Sequence, residues 1–175
     1  MIISPIAQSS ACRALASLAA AVVVVAVVAT GSAAQNSDVA GVWIDDSGKG
    51  AIEIAPCDGD KLCGRIVWLK QPNDKSGKPL TDGYNPKMNL RQQPVCGLQV
   101  MGDLQRVSGG TWDNGWIYDP KQGKQFDVEI KLRAPDRLQV MGYQGVKFLS
   151  ETFVWTRAPA TIARCDTASS QATIR

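Results

Sequence analysis

The chain has 175 residues, of which 19 are Lys or Arg and 16 are Asp or Glu, giving a formal charge of +3, and it contains no histidine. Acidic and basic residues are interleaved without a lysine or arginine cluster, which excludes a phosphate-gripping nucleic-acid surface as the main partner site. The missing imidazole removes Ser-His-Asp triads, Cys-His dyads, histidine-ligated zinc and two-histidine iron from the available chemistry.

In chain order the first element is a leader. Arg13 precedes an uncharged Ala, Val and Leu run over 14–29, and the small residues Thr30, Gly31, Ser32, Ala33 and Ala34 follow. Basic, apolar and small-residue regions in that order make a secretory signal peptide. The run of 16 residues is short of the roughly 20 apolar residues a membrane span needs, so cleavage after Ala34 is expected, with no stable membrane anchor afterwards. Cys12 lies before the apolar run, whereas a lipid-modified cysteine would sit at its far end. Losing the leader, whose one charge is Arg13, lowers the net charge from +3 to +2. About 140 residues remain, enough for one domain with its own core. The expected organisation is a signal peptide over 1–34, a short linker over 35–39, a folded domain over 40–158 and a small, polar tail over 159–175. The expected location is the periplasm or the exterior.

From residue 40 onward, short apolar or alternating runs are separated by Gly, Pro, Asn and Asp, and no helical period is sustained. The strand rules place candidates at 41–45, 51–56, 63–70, 98–106, 112–118, 126–133, 138–143 and 149–157. The clearest is 126–133, where Phe126, Val128, Ile130 and Leu132 point one way and Asp127, Glu129, Lys131 and Arg133 the other. Turns this short join antiparallel neighbours and are too brief for parallel crossovers. The expected fold is therefore all-β, an eight-stranded antiparallel up-and-down β-barrel, because closure removes exposed sheet edges. A barrel of eight is either just filled by side chains or wide enough for one small ligand, and the sequence leaves that choice open. A long loop over 71–95 separates the third and fourth strands. It carries Pro72, Pro79, Pro86 and Pro94, with room for one helical turn at 88–92, and its length marks it as a functional loop or lid.

Four cysteines follow the leader: Cys57, Cys63, Cys96 and Cys165. An even number in an exported chain indicates disulfides, with three connectivities available. Local geometry favours Cys57 with Cys63, which flank a turn-rich segment between two apolar runs. Cys96 and Cys165 then remain for each other, and that bridge would tether the tail. A four-cysteine zinc site needs paired short spacings that are missing, and no metal or cofactor is expected.

With histidine absent and the cysteines oxidised, catalysis would fall to carboxylate, lysine, tyrosine or serine groups. Asp113 with Asp119, or Asp127 with Glu129, are the carboxylate pairs to weigh for sugar hydrolysis. The second pair shares a solvent face and the first brackets a strand. Asp58-Gly59-Asp60 and Asp45-Asp46 lack the spacing of a calcium loop and read as turn chemistry. Ser47-Gly48-Lys49-Gly50 has no helix after it, as a phosphate loop requires. The aromatics carry more information. Trp112, Trp116 and Tyr118, with Asn114 among them, are expected on one face of the fifth strand. Trp68 and Tyr143 lie on other strands, and Tyr84, Asn85 and Arg91 lie on the long loop. Together these are the candidate ligand contacts, since rings supply apolar area and N–H or O–H groups fix orientation.

Two resemblances follow from particular residues. Gly41-Val42-Trp43, Leu62-Cys63-Gly64-Arg65-Ile66-Val67-Trp68-Leu69, Asp82-Gly83-Tyr84-Asn85-Pro86, Gly115-Trp116-Ile117-Tyr118-Asp119-Pro120 with Gly123-Lys124, and Phe153-Val154-Trp155-Thr156-Arg157 resemble the bacterial exported family called domain of unknown function 2147. That resemblance implies export and leaves activity open. Gly41, Trp43 and Arg157 are similar to the Gly-x-Trp of the first strand and the basic residue of the last strand in lipocalin-like (calycin) barrels. The resemblance implies a structural role for them, a guanidinium over the tryptophan face sealing one barrel end. The reading at this level is an exported periplasmic barrel that binds a small apolar or amphipathic ligand. The alternative is a cell-envelope structural or protein-interaction module with a filled barrel and an envelope partner, and a carboxylate-dependent hydrolase of envelope polymers ranks last.

Overall fold

The structure is a computed structural model and describes residues 39–165; the signal-peptide reading and the tail beyond Cys165 fall outside them. Eight strands follow in order: β1 (Gly41–Ile44), β2 (Gly50–Pro56), β3 (Leu62–Leu69), β4 (Gln99–Arg106), β5 (Thr111–Asp119), β6 (Lys124–Ala134), β7 (Arg137–Gln144) and β8 (Val146–Arg157). Each pairs antiparallel with its sequence neighbours and β8 closes on β1, giving a continuous barrel without a free edge. The alternation read in β6 holds, since Val128 and Ile130 are completely buried.

The barrel is packed at one end and hollow at the other. At the packed end, Trp43, Leu62, Met101, Leu104, Trp112 and Leu138 interdigitate in one buried cluster. Trp43 donates its Nε1–H to the Val39 carbonyl at 2.9 Å. The Arg157 guanidinium stands 4.1 Å from the Trp43 ring centroid and its Nε–H donates to the Pro135 carbonyl at 2.7 Å. Gly41 has a reason to be glycine: its φ is +131° and a Cβ there would lie 2.6 Å from an Arg157 nitrogen.

Bulges decide which side chains face inward. In β3, Trp68 pairs with Ala51 but Ile66 already pairs with Ile52. The extra residue turns Trp68 outward and swings Leu69 into the cavity lining. In β5 the register slips between Trp112 and Gly115, where Asn114 adopts φ 60°. The expectation that Trp112, Trp116 and Tyr118 share a face is therefore corrected. Trp112 packs in the core opposite Ile130, while Trp116 pairs with the outward Asp127. Trp116 lies over Gly102, where a Cβ would come within 2.6 Å of the ring, and donates to Asp103 at 3.0 Å.

Both disulfides expected from the sequence are present, Cys57 with Cys63 and Cys96 with Cys165. The second straps residues 158–165 across β1 to β3. Ala158 N–H donates to the Val42 carbonyl and Cys165 N–H to the Val67 carbonyl. Arg164 grips Glu53 with two hydrogen bonds of 2.9 and 2.7 Å, and that guanidinium holds the Glu53 carboxyl below the ordinary value despite partial burial.

Candidate functional site

The hollow end encloses a cavity of about 1260 Å³. Its wall is built from inward positions of many strands: Ile52, Ile66, Ile117, Val140, Phe153 and Trp155. Its mouth is rimmed by the β1–β2, β5–β6 and β7–β8 turns and by the long loop, whose Leu80 and Val95 add apolar surface. The pattern follows from the strand rules, since the inward residues of this wall are mostly branched aliphatic or aromatic and a barrel of eight strands is wide enough to leave room for one small ligand.

The loop between β3 and β4 is shaped by its own backbone pairing. Thr81 bridges Pro94 and Asn73 bridges Pro79, and a single 3-10 turn occupies Met88–Leu90, within the expected helical turn. One buried carboxylate fixes the loop to the barrel. Asp82 has no exposed surface and accepts hydrogen bonds from Asn85 Nδ2 at 2.7 Å, Gln93 Nε2 at 3.0 Å and the Tyr118 hydroxyl at 2.8 Å. Burial, with the Asp82 carboxylate beside it, pushes the Tyr118 phenol up to about 12. Tyr84 is held over the β5–β6 turn at Gly123, whose φ is +64° and where a Cβ would strike the Tyr84 carbonyl.

The sequence-derived candidates divide by place. Tyr84, Tyr118 and Tyr143 border the cavity. Asn85 and Arg91 shape the loop: Asn85 binds Asp82, and Arg91 Nε–H donates to the Asn85 carbonyl at 2.8 Å. Trp112 belongs to the packed core, Asn114 forms the bulge, and Trp68 and Trp116 face outward. The residues that sequence reasoning missed are the aliphatic wall, the anchoring Asp82, and Glu151 on the inner face. The wall had a signal, the alternation itself, whereas Asp82 sat in a loop without a period to read.

The carboxylate pairs are taken up in structural work. On the outer face Lys147 bridges Asp113 and Glu129, and the Tyr143 hydroxyl donates to Asp113 at 2.8 Å. Burial works to raise the Asp113 carboxyl, but hydrogen bonds from Lys147, the Asn114 N–H and Tyr143 outweigh it and hold the carboxyl below the ordinary range. Burial and the same carboxylate push the Tyr143 phenol up to about 12. Asp127 accepts from the Gly145 N–H and Asp119 from the Lys121 N–H, both at 2.9 Å. Among the described residues no group of three or more His, Cys, Asp or Glu side chains stands ready for a metal ion, and no helix is long and apolar enough to cross a membrane.

Comparison with known proteins bears on this geometry. A solved structure described as "Protein HP1028 from the human pathogen Helicobacter pylori belongs to the lipocalin family" superimposes with a TM-score of 0.58 at 20% identity, covering 69% of this chain and 83% of that one. The likeness is one of fold, and the closed eight-stranded barrel of this chain is lipocalin-like. A search of curated proteins finds no match. Residues 41–157 match the family model described as "Uncharacterized protein conserved in bacteria (DUF2147)", and the chain belongs to that family.

Proposed function

We propose that the protein is an exported bacterial barrel, working in the periplasm, that binds a small apolar or amphipathic molecule in its open end. The observation that carries this reading is the cavity of about 1260 Å³ with an apolar wall and a polar rim. Ligand pockets generally occupy about 300–1,000 Å³ and combine predominantly apolar walls with a few polar groups. The likeness in fold to the Helicobacter pylori protein, described as belonging to the lipocalin family, supports the same direction. Two disulfides support an oxidising compartment.

Trp155 lies in the cavity wall and serves as the reporter. Titrating the purified protein with an uncharged amphiphile such as dodecanol should give a saturable fluorescence change that is lost in Trp155→Phe. Filling the cavity with Ile117→Trp should weaken binding by at least tenfold while far-ultraviolet circular dichroism stays unchanged. A flat titration, together with a bare-chain mass for protein purified from its own periplasm, would defeat the proposal.

A further inference from the structure

Of the β6, β7 and β8 residues that line the cavity, Glu151 is the one that carries a charge, and it is exposed in the open cavity. Val128, Gly142 and Glu151 are cross-strand partners at one level of these strands. Val128 is completely buried in the core, so the row faces inward, and Gly142 and Glu151 both line the cavity. Among the described residues, nothing forms a hydrogen bond or ion pair with the Glu151 carboxylate. Its outward neighbours are engaged, Asp113 and Glu129 by Lys147 and Asp127 by the Gly145 N–H.

Gly142 adds a second observation. Its backbone makes no demand for glycine, and a Cβ there would meet nothing within 4 Å. The absent side chain leaves a recess beside Glu151. Phe153, two residues along β8 on the same face, and Phe126, two residues from Val128 on β6, line the same cavity. The other charges in the lining, four aspartates and four lysines, cancel, so Glu151 sets the sign of the site.

We propose that Glu151, the recess at Gly142 and the rings of Phe126 and Phe153 form a subsite for a cationic head group, which makes the ligand an amphiphile carrying a protonated amine or alkylammonium. The inference rests on the ligand-binding reading of the cavity. A ligand filling the cavity strips water from Glu151, and an uncompensated carboxylate against an apolar wall is costly. An anionic head would add repulsion, and a hydroxyl would compensate in part. An ammonium supplies the opposite charge and is also attracted to aromatic faces.

Three probes of one chain length test this on the full chain by titration calorimetry below their micelle concentrations: dodecyltrimethylammonium, dodecanol and dodecanoate. The ammonium should bind about tenfold more tightly than the alcohol, with the carboxylate weakest. Glu151→Gln should bring the ammonium to the affinity of the alcohol and leave the alcohol unchanged, and Glu151→Lys should place the carboxylate first. Alcohol binding without any ammonium advantage, or an advantage that survives Glu151→Gln, overturns the subsite while the cavity reading stands. Binding of none of the three overturns both.

Discussion

Replacing Asp82 by alanine should loosen the long loop from the mouth of the barrel. The carboxylate has no exposed surface and accepts from Asn85, Gln93 and Tyr118. A hydrogen bond to a charged group contributes about 1.5–3 kcal/mol, and a buried donor left without an acceptor costs about 1–3 kcal/mol. Asn85 is buried while Gln93 and Tyr118 are only partly so, so water rescues some of the lost bonding. The net cost is then about 3 kcal/mol, below the roughly 4.5 kcal/mol at which three charged hydrogen bonds would start to sum, because of that rescue. With a urea slope of about 1.5 kcal/mol/M for a domain of this size, the midpoint should fall by about 2 M. Tyr118→Phe removes one donor and leaves the other two in place, so it should lower the midpoint by about 0.7 M, corresponding to about 1 kcal/mol. Urea unfolding followed by tryptophan fluorescence measures both, and hydrogen exchange over residues 80–95 should accelerate in the alanine variant before global unfolding. Midpoints within 0.3 M of the parent for both variants, with unchanged exchange (a shift of about 0.5 kcal/mol or less), would refute the claim that Asp82 holds the loop.

Other expectations follow from the same geometry. Serine replacement of the Cys96–Cys165 pair, separated by 69 residues, should cost about 4 kcal/mol, and replacement of Cys57–Cys63, separated by 6, about 2 kcal/mol, as loop-closure entropy dictates; reversible melts of the two variants would rank them. Arg157→Ala loses the cation–π contact over Trp43 and the hydrogen bond to Pro135, and denaturant unfolding should show a loss of about 2 kcal/mol. Asp113 and Glu53 are held below their ordinary values, so their contribution is present above about pH 4 and is lost as the pH falls through the lower folded values. Acid titration of Lys147→Met should therefore show lower stability at neutral pH and a shallower acid limb. Tyr118 and Tyr143 are raised to about 12, so their stabilisation is full below pH of about 10 and is lost as the pH climbs through 12; phenolate absorbance should place both ionisations near that value.

Local alternation and turn chemistry determined much of this molecule. The inward set of Phe126, Val128, Ile130 and Leu132 needs no partner strand to be read, because side chains alternate with a period of two. The brief turns made the strands antiparallel, and the cysteine spacing around Asp58-Gly59-Asp60 closed the first disulfide. Gly41, Trp43 and Arg157 were legible through their resemblance to the Gly-x-Trp and the final basic residue of lipocalin-like barrels, and the structure supplies the reason for the glycine: a Cβ at Gly41 would strike the Arg157 guanidinium. Tertiary structure decided the rest. A single extra residue in β3 turned Trp68 out and Leu69 in, and the bulge at Asn114 separated Trp112 from Trp116, since a slip of one residue exchanges the faces of everything beyond it. Asp82 became an anchor only when Tyr118, 36 positions away, came to meet it. Glu151 entered the cavity wall only because its partner row through Gly142 ends on the buried Val128; the direction in which a charged residue points belongs to the register of the closed sheet, and register is a property of pairs.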